Sequence, residues 1–186
     1  MIDSDVWAGL ADPGSQIVGA PAYAVDVSPD GVWASIAAAG RTAEGLDHVE
    51  VVAHLPGVEW VVTQLAGMVL RNRPCAVVVD GASLAASLLP ALREAGLDPV
   101  VTSAREMAQA CGGFYTAAVT GQLRHLDYKD LNAAVAVARR RDLGTEGAWA
   151  WARKGQADIT PLVAATLARY GHAVHGIADN RPPNIW

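Results

Sequence analysis

In the first third of the chain, apolar and polar positions alternate, and further on they recur at helical spacing. Within residues 22–28 (AYAVDVS), Ala22, Ala24, Asp26 and Ser28 project to one face, and Tyr23, Val25 and Val27 to the other. Ser28-Pro29-Asp30-Gly31 has the residues of a tight turn, so 32–39 reads as the returning strand of a hairpin. Residues 46–55, LDHVEVVAHL, put Val49, Val51, Ala53 and Leu55 on one face and His48, Glu50 and His54 on the other. Three consecutive antiparallel strands are expected. The period then changes. Residues 58–72 read as a helix with Val61, Leu65, Met68 and Val69 on one side.

Residues 75–79 are an unbroken apolar run closed by Asp80-Gly81, the pattern of a central strand covered on both faces. A helix over 83–95, stopped by Gly96, a short strand at 99–102 and a helix over 103–119 follow. A helix from 127 to about 140, an extended stretch over 147–154 and a last helix over 159–171 complete the pattern. In the extended stretch Trp149, Trp151 and Arg153 share one side. Three strands followed by strand–helix alternation predict an α/β domain with a mixed sheet. Residues 1–20 read as a linker or lead-in segment with a turn at Asp12-Pro13-Gly14, 21–175 as the domain, and 176–186 as a tail.

The 186 residues suit one domain with a self-sufficient core. Cys75 and Cys111 have no ligand spacing and lie in apolar surroundings, so reduced core thiols in a cytosolic protein are expected. No basic n-region precedes an apolar core at the N-terminus, and every stretch long enough to span a bilayer is interrupted, so no membrane association is expected. The net charge of −5 argues against a chain that coats nucleic acid by charge alone. It is compatible with a local basic face beside an acidic metal pocket.

The carboxylates carry the chemistry. Asp26 lies on a face of small residues, and Asp80 ends the buried strand, where ligands of α/β sheets gather. If those strands are neighbours, two anions meet and require a proton or a cation; a divalent metal with oxygen ligands is the natural partner. Asp158 at the mouth of the last helix is the candidate third acid. Its competing role is to cap that helix, which Thr160 before Pro161 would do equally well. The competing roles of Asp26 and Asp80 are a bond to Ser28 or Gly31 and an Asx turn with Gly81. Asp127 and Asp130 read as an N-cap and first-turn pair.

VDVSPDGVWASIAAAG, VVVDGAS, LNAAVAVARRRDLG, AWAWARK and ADITPLVAATLARYG, in this order and spacing, resemble the nuclease domain of the large terminase subunit of tailed phages. DVWAGLADP resembles the segment that joins that domain to the packaging ATPase, and the likeness runs over about residues 5–172. The resemblance implies a ribonuclease H-like sheet, three antiparallel strands then parallel ones, flanked by helices. It implies an endonuclease that cuts concatemeric double-stranded phage DNA during genome packaging. Two divalent ions, Mg2+ or Mn2+, would be held by Asp26, Asp80 and Asp158. It also implies as partners the packaging ATPase domain, the small terminase subunit and the portal, and as location the cytoplasm of the infected host. The chain contains no GxxxxGK[ST], so the nuclease domain alone is expected, without the ATPase.

Residues 124–154 carry seven cations against four anions. Arg139, Arg140, Arg141, Arg153 and Lys154 are therefore candidate DNA contacts, although the Arg139–Arg141 run would also complement a helix C-terminus. His48, Glu50 and His54 read as a solvated sheet face, the His172/His175 pair as a frayed helix end, and Trp149 and Trp151 as core rather than base-stacking groups. His125 is a weak candidate near the site. Two other functions compete: a non-catalytic module that docks on DNA or the packaging motor, and a phosphotransfer domain with Asp80 as acceptor, which requires five parallel strands.

Overall fold

The computed structural model describes residues 1–144, 147–155 and 157–176. Strands β1 (Val18–Val27), β2 (Trp33–Arg41) and β3 (Asp47–Pro56) form the expected antiparallel meander. β4 (Ala76–Asp80), β5 (Val100–Thr102) and β6 (Leu123–His125) add in parallel, giving the order β5-β4-β1-β2-β3-β6. The meander excludes the five parallel strands of the phosphotransfer reading. Helices α1 (Ser4–Ala8), α2 (Val61–Asn72), α3 (Leu89–Glu94), α4 (Ala104–Val119), α5 (Lys129–Val137) and α6 (Thr160–His175) surround the sheet, and β7 (Arg140–Asp142) pairs with β8 (Trp149–Trp151) in a separate ribbon.

Both faces of the sheet are covered. Tyr23, Val25, Ile36 and Val79 pack against Leu65 and Met68 of α2 and Leu92 of α3. On the other face Ala22, Ala24, Ala37 and Ala39 meet Leu162, Ala165 and Ala168 of α6, with Phe114 of α4 and Leu131 of α5 in the same cluster. The alanines explain how α6 lies so low on the sheet. A Cβ on Gly171 would collide with Val78 and touch Ala22 and Ala76. Residues 160–168 of α6 are all buried, as befits a helix apolar around most of its circumference.

Several elements differ from the sequence reading. The helix expected over 127–140 is only Lys129–Val137, and the chain beyond it is captured by pairing with β8. β6 was not anticipated, because three residues carry no readable period. The helix expected over 83–95 is a 3-10 turn, Leu84–Leu88, followed by α3 with Pro90 in its first turn; Gly96, at φ +81°, ends it as expected. α6 runs on to His175.

The first residues pack tightly. Asp3 caps α1, Trp7 and Leu10 are buried, and the Trp7 ring stacks on His125 at 4.1 Å. The Asp12 N–H donates to the His125 carbonyl and the His125 N–H to that of Leu10, so the lead-in runs beside β6 as a partial extra strand. The tail assigned to 176–186 lies outside the described residues, apart from Gly176.

The face assignment on β3 is corrected by a bulge. Ile36 pairs with Ala53 and Ala37 with Val51, so Val52 is an extra residue. Val49 and Val51 therefore face α6 while Ala53 faces α2. His48 and His54 point to opposite sides. Nor is His48 solvated: it is buried, Ser15 Oγ lies 2.7 Å from its Nδ1, and burial pushes its pKa down.

Candidate active site

Cross-strand register builds the site. Asp26 pairs with Ser35, Ser35 with His54, and Asp80 with Thr102. Asp26 and Asp80 each lie one residue past the Val25–Val79 pair, side by side on adjacent parallel strands. One polar row thus crosses five strands: His54, Ser35, Asp26, Asp80, Thr102. The row beneath it, Val51, Ala37, Ala24, Val78 and Val100, is wholly apolar. The polar row marks the rim of the core at the carboxyl ends of β1 and β4, the expected position for a ligand in this architecture.

Asp26 and Asp80 are 1% and 5% exposed. The cation that two such anions require comes from the chain itself. Arg153, two residues past β8, donates from Nη1 to Asp26 Oδ1 at 2.7 Å and from Nη2 to Asp80 Oδ2 at 3.4 Å. Burial nevertheless pushes the Asp26 pKa up to about 6, against the pull of Arg153 and with a further push from Asp80. The bonds proposed as alternatives to a site role are partly present. Asp80 Oδ1 accepts from the Ala82 N–H at 3.1 Å, an Asx turn. Asp26 makes no bond to Ser28, whose hydroxyl donates to Asp30 instead.

Asp158 belongs to a second network. Its Oδ1 accepts from the Thr160 N–H at 2.9 Å and its Oδ2 from the Thr160 hydroxyl at 3.0 Å, so it helps to cap α6 while Thr160 serves as the first helical residue. Ser35 Oγ lies 2.8 Å from Thr160 Oγ1 and 3.0 Å from His54 Nδ1. His54 Nε2 closes the ring, 3.5 Å from Asp158 Oδ2, and its imidazole stacks on Trp33 at 4.9 Å. Sequence reasoning placed His54 on a solvated face and passed over Ser35, Thr160 as a site residue, and Thr102. The doublet Val51-Val52, which breaks the alternation of β3, was the available signal.

A cleft of about 330 Å³ joins the two networks. Asp26, Trp33, Arg153, Lys154, Asp158 and Thr160 are among its walls. A second cleft of about 480 Å³ shares Trp33 and Asp158 and adds His54, Lys129 and Asp130.

The remaining candidates divide. Arg139 donates to the carbonyls of Val137 and Ala138 at the end of α5, which is its helix-complementing role. Arg140 lies over the Tyr115 and Trp149 rings at 4.6 and 4.3 Å, which fixes the β7–β8 ribbon. Arg141 and Lys154 are exposed. Trp151 is core, its indole N–H donating to Thr166; Trp149 is half-buried beneath Arg140. His125 is buried against the lead-in, bonded to the Trp7 carbonyl, and does not join the site. Cys111 is buried, which pushes its thiol up to about 12.

Asp26, Asp80, Asp158 and the buried Thr102 hydroxyl, which has no hydrogen-bond partner, offer oxygen donors of the kind a hard cation takes. It is not a closed cage. Among the described residues no three His, Cys, Asp or Glu side chains stand together as a ready metal group. Arg153 lies between the first two carboxylates, and Asp158 is turned to His54 and Thr160.

A meander extended by parallel strands and flanked by helices is the ribonuclease H-like arrangement. Within that class, the fold is that of the large terminase nuclease domains. The large terminase of bacteriophage HK97 superposes with a TM-score of 0.69 at 14% identity, over 91% of this chain and 43% of that one. The large terminase nuclease of the thermophilic phage G20c gives 0.61 at 13% identity, over 85% of this chain and 83% of that one. A mutant nuclease domain of the large terminase subunit of bacterial virus Sf6, solved with manganese, gives 0.58 at 14% identity, covering 92% and 98%. At such identities the likeness is one of fold. The chain spans less than half of the HK97 protein. No protein-family profile matches the chain, and no curated protein matches it.

Proposed function

We propose that this chain is a divalent-metal-dependent endonuclease that cuts double-stranded phage DNA during genome packaging. The observation that carries the reading is the pair of buried carboxylates, Asp26 and Asp80, at the ends of adjacent parallel strands, with Asp158 lining the same cleft as Asp26. The G20c nuclease has been solved with magnesium and with cobalt, which supports divalent ions for this chain. Asp26, Asp80 and Asp158 would hold two such ions. Bound there, they would supply an activated water and neutralise charge on the scissile phosphate. Lys154 and Arg141, exposed, are available to the DNA backbone. Arg153 holds Asp26 and Asp80 in place and would have to yield to a cation bound by them. By the same reading the chain works in the infected host's cytoplasm with the packaging ATPase, the small terminase subunit and the portal. Among the described residues no helix is long and apolar enough to cross a membrane.

One observation favours a second reading. Arg153 already compensates two of the three carboxylates, as a module that docks without cutting would require. Incubating supercoiled plasmid with the protein and manganese separates the two. Nicking should appear, vanish in EDTA, and be lost in Asp26→Ala, Asp80→Ala and Asp158→Ala. Plasmid left intact by the pure, folded protein at millimolar manganese would support the docking module.

A further inference from the structure

Thr102 is 2% exposed, and its Oγ1 is the one buried side-chain N or O among the described residues that lacks a hydrogen-bond partner. A valine would fill a β-branched strand position as well and bury no hydroxyl. Burying a hydroxyl without a partner is costly, and such exceptions call for a reason. The position supplies one. Thr102 is the register partner of Asp80 in the parallel pair β4–β5, so both side chains leave the same face of the sheet. It ends the polar row that begins at His54. Its backbone is also engaged at this corner: the Thr102 carbonyl accepts from the Gly81 N–H at 3.0 Å, and a Cβ on Gly81 would lie 3.0 Å from that carbonyl oxygen. The backbone around the hydroxyl is thus closely packed, while the hydroxyl itself is unspent.

We propose that Thr102 is a positioning residue of the cation site, its hydroxyl holding a water of the shell of a divalent ion bound at Asp80. The inference rests on the nuclease reading and deepens it, since it assigns a fourth residue to the same site. A small divalent ion such as Mg2+ keeps several of its waters when carboxylates bind it, and those waters donate hydrogen bonds to acceptors of the protein. At the end of the polar row beside Asp80, the Thr102 hydroxyl can accept a hydrogen bond from such a water. Outer groups of this kind tune affinity: their loss typically weakens metal binding about 10–100-fold.

Thr102→Val keeps the shape and removes the hydroxyl; Thr102→Ser keeps the hydroxyl. Melting temperature in EDTA and calorimetric titration with manganese chloride are measured for the parent, both variants and Asp80→Ala. In EDTA, Thr102→Val should melt at or above the parent, because nothing there uses the hydroxyl. Its manganese affinity should fall about tenfold, while Thr102→Ser stays within about threefold of the parent. Unchanged affinity in Thr102→Val, with binding lost in Asp80→Ala, overturns the role of Thr102 and leaves the nuclease reading standing. A lower melting temperature of Thr102→Val in EDTA also overturns it, since the hydroxyl would then serve the metal-free fold. Equal manganese binding by the parent and Asp80→Ala, or none by the parent with duplex DNA present, overturns the metal-site reading, and this proposal with it.

Discussion

Arg153 shows how a single residue changes the energetics of a site. Two buried carboxylates on adjacent strands would repel strongly if left alone, and the guanidinium that bridges them arrives from 127 residues beyond Asp26 and 73 beyond Asp80. Removing one partner of a buried ion pair is far more damaging than the pair's net worth, because the other charge is stranded. Arg153→Met should therefore lower stability in EDTA at pH 7 by about 3 kcal/mol, measured by urea unfolding. Adding Asp26→Asn should recover part of that loss. A loss under about 0.5 kcal/mol in Arg153→Met would mean that the bridge contributes nothing measurable in solution.

At the scale of elements, α6 and the sheet are matched by size. Alanines at positions 22, 24, 37 and 39 leave room for a helix backbone, and Gly171 takes up the last of it against Val78. Fixing α6 there also fixes Thr160 and Asp158 opposite the polar row. Gly171→Ala should destabilise the fold by about 1–3 kcal/mol despite the higher helix propensity of alanine, because the core is close-packed. A melting temperature equal to or above that of the parent would show that α6 can lift without cost. Loss of cleavage exceeding the loss of folded protein would show that the lift also misplaces Asp158.

Across the whole molecule, the lead-in is tied to the sheet through His125. The His125 Nε2–H donates to the Trp7 carbonyl, its Nδ1 accepts from the Asp127 N–H, and its ring is covered by that of Trp7. Burial holds its pKa below the usual value. A depressed histidine contributes stability that is fully present above its unfolded pKa, about 6.5, and is lost as pH falls through that value towards the folded one. Asp26 acts in the opposite sense: its raised pKa gives stability at low pH that is lost as pH rises towards about 6. Comparing the parent with His125→Gln isolates the first effect, since Asp26 is common to both. The urea midpoint of the parent should fall more steeply from pH 7 to pH 5 than that of the variant. Parallel curves would remove His125 from the account of acid stability.

The hairpin, the central strand ending in Asp80 and the glycine that stops α3 were legible because each is a local matter. A period of two, a Pro-Asp-Gly turn or an αL glycine is set by neighbouring residues. So was the position of Asp26 on a face of small side chains. β6 and β7 were not legible, since three residues in pairing distance of another strand carry no period of their own. The end of the helix after Asp127 was misread for the same reason: Arg140 pairs with Trp151, a partner that the local sequence does not show.

Sequence by itself thus determined the long elements, their order and which acids stand at strand ends. Only the tertiary structure decided what those acids meet. A one-residue bulge at Val52 turned His54 onto the face of Asp158. Register placed Thr102 beside Asp80, and the path of the chain after β8 put Arg153 between Asp26 and Asp80. The physical reason is that strand register and long-range ion pairs are settled by cross-strand pairing and by the packing of α6 against the sheet. Those interactions join residues tens of positions apart, and beyond the Val51-Val52 doublet they leave no mark in a short window of the chain.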